Sequence, residues 1–228
     1  MGMLQEYVEA IDLAATQSIL ALGCGTGAEV REVLRRPDFR GRVTAIDISA
    51  DLVERGKGLA VQEGFAGRTE WLVGDAQELR LSDRVFDLVL AHTLVSHVPD
   101  PKRVVRDAAR VVRPGGTVVI FDGDYATMTF GVDREMDEKI ISGVIANPRV
   151  MRGMPQLLRE AGLKLVDSRG GCLQRSDGPT SFSDPCSHFR SSCRRRASPL
   201  RRRPKRLLAD SCGQAKMARF SLDTISTQ

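Results

Sequence analysis

Three glycines at alternate positions, Gly23, Gly25 and Gly27, directly follow the apolar run 19–22. An apolar run that stops at such glycines predicts a buried strand that ends in a tight turn, because glycine lets the backbone approach a ligand closely. The residues from Ala28 onward are typical of a helix that starts after the turn. A turn of this kind at the carboxyl end of a parallel strand is where open α/β sheets bind nucleotides.

Polar side chains follow three further predicted strands. Asp47 ends the second, where a carboxylate can accept hydrogen bonds from both hydroxyls of a ribose. Asp75 follows the third strand, and His92 and His97 follow the fourth. Each has a plainer interpretation: Asp47 as a helix cap, Asp75 as a turn residue, and His92 as a structural histidine. For His97, which precedes a proline-containing helix entry, a packing role is favoured.

Alternating apolar and helical segments must position these side chains. Strands are predicted at 18–22, 42–47, 69–73, 86–91, 116–122 and 164–168, and helices at 4–13, 28–36, 50–63, 101–112, 133–145 and 150–162. This alternation predicts an α/β fold with a Rossmann-like, doubly wound and mostly parallel sheet. Its helices should cover both faces.

Composition narrows the class of protein. The 228 residues are 42% hydrophobic, and the five cysteines include no C-x-x-C pair. We therefore expect neither a disulfide framework nor a metal site, and a reducing, cytoplasmic setting. No apolar run is long enough for a membrane span, and the first residues do not resemble a signal peptide.

Charge divides the chain into two parts. Residues 1–173 have a net charge of −3, whereas residues 174–228 have a net charge of +8 and include two Arg triplets. We predict one domain over 1–173 and an atypical basic tail over 174–228 that is disordered or frameshifted. The alternatives are a solvated tail without function and a basic arm that binds nucleic acid through its backbone.

The closing strand expected of this fold is not visible in the tail, so we predict that it is absent or disordered. The genetic code suggests why. If the gene segment that encodes residues 216–226 is translated in a reading frame shifted by one nucleotide, the possible codons permit a strand such as Gly-Thr-Phe-Phe-x-x-Tyr-x-Phe. A frameshift between about 173 and 195 would therefore explain the loss of pattern after residue 173.

Five sequence blocks in order carry a family resemblance: L-x-L-G-C-G-T-G, A-I-D-I-S, V-G-D-A-Q-E-L, F-D-L-V-L-A-H-T and R-V-V-R-P-G-G-T-V-V-I. Over residues 3–170 the chain resembles the class I S-adenosylmethionine-dependent methyltransferases, most closely the small-molecule branch that includes ubiquinone and menaquinone biosynthesis enzymes. The glycine turn alone also fits the dinucleotide pattern G-x-G-x-x-A, but the whole order favours the methyltransferases.

The resemblance implies a role for each matching position in binding S-adenosyl-L-methionine. The implied cofactor contacts are Gly23, Gly25 and Gly27 under the methionine and ribose, Asp47 on the ribose, Ile48, Asp75 and Ala76 at the adenine, and His92 at the methionine end. One position departs from the family, which usually has Asp or Glu where this chain has Ala21. We therefore expect weaker orientation of the cofactor's amino group.

The implied function is methyl transfer to the O, N or C nucleophile of a small-molecule acceptor. A hydroxyl acceptor would need a base, for which His92 and His97 are candidates. The alternative is a cofactor-binding protein without turnover that uses the basic tail to bind nucleic acid.

Overall fold

The computed structural model describes residues 3–128, 134–173 and 213–221. The strands are β1 (Ser18–Leu22), β2 (Arg42–Asp47), β3 (Thr69–Val73), β4 (Phe86–His92), β5 (Val112–Asp124), β6 (Lys164–Leu173) and β7 (Gly213–Ser221). The helices are α1 (Met3–Glu9), α2 (Ala28–Arg35), α3 (Ala50–Gln62), α4 (Pro101–Val111), α5 (Arg134–Val144) and α6 (Val150–Glu160). Short 3₁₀ turns lie at Ala66–Arg68 and Tyr125–Thr127.

All seven strands form one sheet in the order β3-β2-β1-β4-β5-β7-β6. Neighbouring strands from β3 to β5 are parallel, and β7 is antiparallel to both β5 and β6. The predicted Rossmann-like, mostly parallel sheet is confirmed. The strand order reverses between β1 and β4, which creates a crevice at the carboxyl ends of these two strands.

The prediction that the closing strand is absent is wrong. Residues 213–221, in the reading frame as written, form β7 between β5 and β6, with Thr117 opposite Ser221 and Asp124 opposite Gln214. Strand pairing uses main-chain N–H and C=O groups, so a segment between two open edges can pair although its side chains lack a clear strand pattern. The remaining parts of the tail, 174–212 and 222–228, lie outside the described residues. The domain boundary at 173, the disorder, the frameshift and the nucleic-acid arm remain predictions.

Two apolar layers enclose the sheet. On one face, Leu20 and Leu22 of β1 belong to a cluster with residues of α4 and α6. On the other face, Ile19 and Ala21 belong to a cluster with residues of α1 and α2. Because β1 is packed on both faces, its position in the sheet is fixed. The glycine turn that follows it is therefore fixed at the carboxyl end of the strand.

Element boundaries differ most from the prediction at α1, which ends at Glu9 rather than at 13, at β6, which continues to Leu173 rather than to 168, and at β5. The strand starts at Val112, directly after α4, rather than at residue 116, because Val112 already pairs with Phe86. The register shifts between Phe86 and Leu88, so Pro114 and the two glycines after it lie within an irregular strand rather than a loop. Of the helices described, none has the length and hydropathy to cross a membrane.

Candidate active site

The glycine turn has a backbone that only glycine adopts readily. Gly23, Gly25 and Gly27 have φ angles of 61°, 52° and 73°. A Cβ added at Gly27 would lie 2.2 Å from the Trp71 ring, whereas one added at Gly25 would meet no heavy atom within 4 Å. Gly27 is therefore required for packing, and Gly25 leaves an open surface that a ligand can approach.

Asp47 is attached to this turn by main-chain hydrogen bonds. Its Oδ2 accepts from the N–H of Gly25 at 2.8 Å, and its Oδ1 accepts from the N–H of Ser49 at 2.9 Å. The cap of α3 is Ser49, whose Oγ accepts from the N–H of Leu52, so Asp47 is not the helix cap. Each oxygen of the half-buried Asp47 can still accept a further hydrogen bond, as two neighbouring hydroxyls require.

Asp75 lies at the edge of a cavity of about 330 Å³ at the ends of β2 and β3. Its Oδ1 accepts from the N–H of Gln77 at 2.8 Å and from Nε2 of the same residue at 3.1 Å. The first bond is a local turn contact, as the interpretation of Asp75 as a turn residue predicts. The cavity walls include Ile46, Leu72 and Leu79, which provide apolar surface beside the carboxylate.

Ile48 and Ala76 are placed differently from each other. Ile48 is 72% exposed beside Asp47, whereas Ala76 is buried in the core on the α4 side. Neither lines the cavity at Asp75. An exposed Ile48 is available to a ligand, while Ala76 can offer only its main chain.

His92, at the end of β4, is enclosed by aromatic rings. It stacks on Phe121 with ring centroids 4.9 Å apart and an interplanar angle of 6°, and Tyr7 lies against it at 5.2 Å. Its Nδ1 is 3.3 Å from Oγ1 of Thr93 and 3.8 Å from a carboxylate oxygen of Glu29. Burial lowers the pKa of His92, which keeps its imidazole neutral near pH 7.

Glu29, which the sequence patterns did not single out, lies beside His92. It lies in the first turn of α2, is only 5% exposed, and has an Oε1 atom without a hydrogen-bond partner among the described residues. Burial, and then the charge of Asp47, raise the pKa of Glu29. The helical pattern contains a signal for its burial, because Glu29 is four residues before the buried Val33 and shares its face of α2.

His97 belongs to a second polar group, which we call the β5 cluster: Ser96, His97, Asp122 and Tyr125. Oδ2 of Asp122 accepts from the N–H of Ser96 at 2.9 Å, and Oδ1 accepts from the Ser96 hydroxyl at 2.8 Å. Asp122 is fully buried, which raises its pKa, while the hydrogen bonds from Ser96 oppose that shift. The exposed His97 contacts the Tyr125 ring edge-on, at 6.1 Å between centroids. It is a surface residue rather than a packed one.

The predicted residues lie at the carboxyl ends of the strands but do not form one connected group. Main-chain hydrogen bonds link Asp47 to the glycine turn, and the rings of His92, Tyr7 and Phe121 lie at the end of β4. His97 lies apart from these residues in the β5 cluster. Within the described part of the chain, no group of His, Cys, Asp and Glu side chains could hold a metal ion.

Comparison with known proteins identifies the family of part of this chain. Residues 20–120 match the family described as "Methyltransferase domain". The chain carries a methyltransferase domain. It contains the glycine turn, Asp47, Asp75 and both histidines, and the resemblance to the class I methyltransferases is confirmed. The ubiquinone and menaquinone branch stays a prediction.

Curated relatives of the methyltransferase domain differ widely in their named substrates. A 27-O-demethylrifamycin SV methyltransferase from Amycolatopsis mediterranei (strain S699) is 34% identical over 156 residues, which cover 68% of this chain and 56% of the relative. A phosphatidylethanolamine N-methyltransferase from Cereibacter sphaeroides is 41% identical over 102 residues, covering 45% and 48% of the two chains. The chain spans about half the length of the curated relatives it matches.

Solved structures share the fold at low sequence identity. Geranyl diphosphate methyltransferase in complex with S-adenosylmethionine is 15% identical with a TM-score of 0.65, and the match covers 96% of this chain and 82% of that one. The [4+2]-cyclase SpnF is 20% identical with a TM-score of 0.66, covering 96% and 80%. A cyclase and a methyltransferase on one fold illustrate that the fold does not define the reaction.

Proposed function

We propose that this protein transfers a methyl group from S-adenosyl-L-methionine to the O, N or C nucleophile of a small-molecule acceptor. The observation that carries the proposal is the bond from the Gly25 N–H to Asp47, 2.8 Å long, within the methyltransferase domain. This bond attaches a half-buried carboxylate to a turn whose surface is open at Gly25.

The residues at the crevice fit the parts of that cofactor. The carboxylate of Asp47 has free lone pairs for the two ribose hydroxyls, and the cavity at Asp75 offers apolar walls and an acceptor for an adenine amino group. Ile48 is exposed at the same end of the sheet and can lie against a planar ring. When bound, S-adenosyl-L-methionine supplies a methyl group made electrophilic by a sulfonium sulfur.

The residues of this chain must also align the acceptor with the methyl group and, where the acceptor is protonated, accept its proton. For a hydroxyl acceptor we assign the base to His97, because it is exposed beside the buried Asp122 and the half-buried Tyr125. We assign His92 to the wall at the methionine end, where its enclosed neutral ring excludes water. An acceptor that is already ionised would need no base.

The class of acceptor rests on the relatives' names. These include rifamycin, alkaloid and tocopherol methyltransferases, so we propose a small metabolite rather than a macromolecule. A reducing, cytoplasmic setting is part of the proposal, because the glycine turn contains a free and buried thiol at Cys24.

Titration calorimetry with Asp47→Ala tests the proposal. We expect the wild type to bind S-adenosyl-L-methionine and the variant to lose at least about 100-fold in affinity, because two hydrogen bonds to a charged group disappear. Asp51→Ala is the matched control, since Asp51 is an exposed acid in the next helix and should leave binding unchanged. Equal affinity of Asp47→Ala and wild type would refute the site.

Catalysis needs a separate assay. Incubation with cofactor labelled in the methyl group and a small-metabolite extract should transfer label to a small molecule. Binding without any transfer would instead favour a cofactor-binding protein without turnover.

A further inference from the structure

Glu29 is a buried acid that no Lys or Arg of the described residues is seen to pair with. Oε1 has no hydrogen-bond partner among the described residues, and Oε2 is 3.8 Å from Nδ1 of His92, too far for a hydrogen bond. The residue does not cap its own helix, because α2 has Gly27 at its N-cap and no side-chain cap bond. The described residues therefore provide no interaction that offsets the desolvation free energy of this buried carboxylate.

The surroundings of Glu29 are suited to a cation. The titratable groups that interact with it are Tyr7 from α1, Cys24 from the glycine turn, Asp47 from β2 and His92 from β4. None of these carries a permanent positive charge, and the buried Tyr7 hydroxyl has no hydrogen-bond partner in the part of the chain that the structure describes. A positively charged hydrogen-bond donor on a ligand would satisfy the free carboxylate oxygen.

Glu29 lies close to the glycine turn and to the carboxyl ends of three strands. It is two residues after Gly27, and its neighbours Cys24, Asp47 and His92 come from the carboxyl ends of β1, β2 and β4. Ala21 of β1 points to the same face of the sheet as the buried side of α2. A carboxylate at position 29 of α2 and a carboxylate at position 21 of β1 would therefore lie on the same face of the sheet.

We infer that Glu29 accepts a hydrogen bond from the ammonium group of S-adenosyl-L-methionine and so replaces the carboxylate that Ala21 does not provide. The inference rests on the proposed function, since it concerns how the same cofactor is oriented. Glu29 is a binding residue that recognises the amino-acid part of the cofactor, whereas Asp47 recognises the ribose.

The test compares two ligands in three proteins. S-adenosyl-L-methionine carries the ammonium group, and methylthioadenosine keeps the nucleoside but lacks the amino-acid part. In Glu29→Gln we expect affinity for S-adenosyl-L-methionine to fall about 10- to 100-fold, as for one hydrogen bond to a charged group, with affinity for methylthioadenosine unchanged. The double variant Ala21→Asp with Glu29→Gln should recover most of the lost affinity.

A role in packing alone would give a different pattern. Equal losses for both ligands, or no loss for either, would overturn the assignment of Glu29, and so would a loss that Ala21→Asp fails to restore in a folded protein. Failure of the proposed function is distinguishable, because the wild type would then bind neither ligand and Asp47→Ala would change nothing.

Discussion

Asp47 at the end of β2 and Asp122 near the end of β5 both accept main-chain hydrogen bonds, yet they lie in regions with different properties. Asp47 is half-buried, and each of its oxygens accepts one main-chain hydrogen bond and keeps a lone pair for another. Asp122 is fully enclosed and also accepts from the Ser96 hydroxyl and from the N–H of Gly123. The first arrangement is suited to binding a ligand, and the second fixes one loop to one strand.

Glu29 is the third case. It is buried, with 5% of its surface exposed against 0% for Asp122, but its Oε1 accepts no hydrogen bond from the described residues. The comparison teaches that burial alone does not distinguish a structural acid from a binding acid; the distinguishing property is whether the protein itself satisfies the oxygens. Substitutions in each region should therefore separate stability from cofactor binding.

The largest effect should come from Gly27→Ala. The added Cβ would lie 2.2 Å from Trp71 at a φ of 73°, so strain and overpacking act together. We expect a loss of about 2–5 kcal/mol in the free energy of unfolding, measured by urea denaturation. Gly58→Ala in the exposed part of α3 is the control and should stabilise by about 0.5–1 kcal/mol. Equal stability of both variants would contradict a packed turn.

Ser96→Ala should have the next largest effect, on stability only. Removal of the hydroxyl leaves Oδ1 of the buried Asp122 with a bond only from the Gly123 N–H, which we expect to cost about 1–3 kcal/mol. Affinity for S-adenosyl-L-methionine should not change in calorimetry. Ser142→Ala, on an exposed face of α5, should change neither quantity. A large loss of cofactor affinity in Ser96→Ala would mean that the β5 cluster also positions the cofactor.

The smallest effect concerns Glu29 and pH. Burial raises the pKa of Glu29 above its ordinary value of 4.5. As the pH rises, Glu29 therefore loses its proton at a higher pH in the folded protein than in the unfolded chain. Its contribution to stability is complete below pH 4.5 and is lost as pH rises through the higher folded pKa. We therefore expect the Tm of Glu29→Gln relative to wild type to increase with pH over that window.

Thermal unfolding of the cofactor-free protein across pH checks this expectation. Glu54→Gln, an exposed acid of α3, should show a Tm difference that does not depend on pH. A pH-independent difference in Glu29→Gln as well would show that this carboxylate is not destabilised by burial.

Local patterns were enough to predict most of the fold. The apolar runs of β1 and β4 and the glycines at 23–27 predict strands and a turn because each signal lies within a few neighbouring residues. Asp47 and His92 were predicted in the same way, since a strand end is visible in the sequence. Strand β7 was not predicted, because its pairing depends on two edges supplied by distant residues.

The residues alone thus determined the parallel sheet, the glycine turn and the acid at the end of β2, since these follow from periodicity and from backbone conformations that only glycine adopts readily. Tertiary structure decided that Asp122 is satisfied, that His92 is enclosed by Tyr7 and Phe121, and that Oε1 of the buried Glu29 has no hydrogen-bond partner among residues 3–128, 134–173 and 213–221. These three outcomes depend on contacts between elements distant in sequence, and a carboxylate's burial and partners exist only after those elements pack.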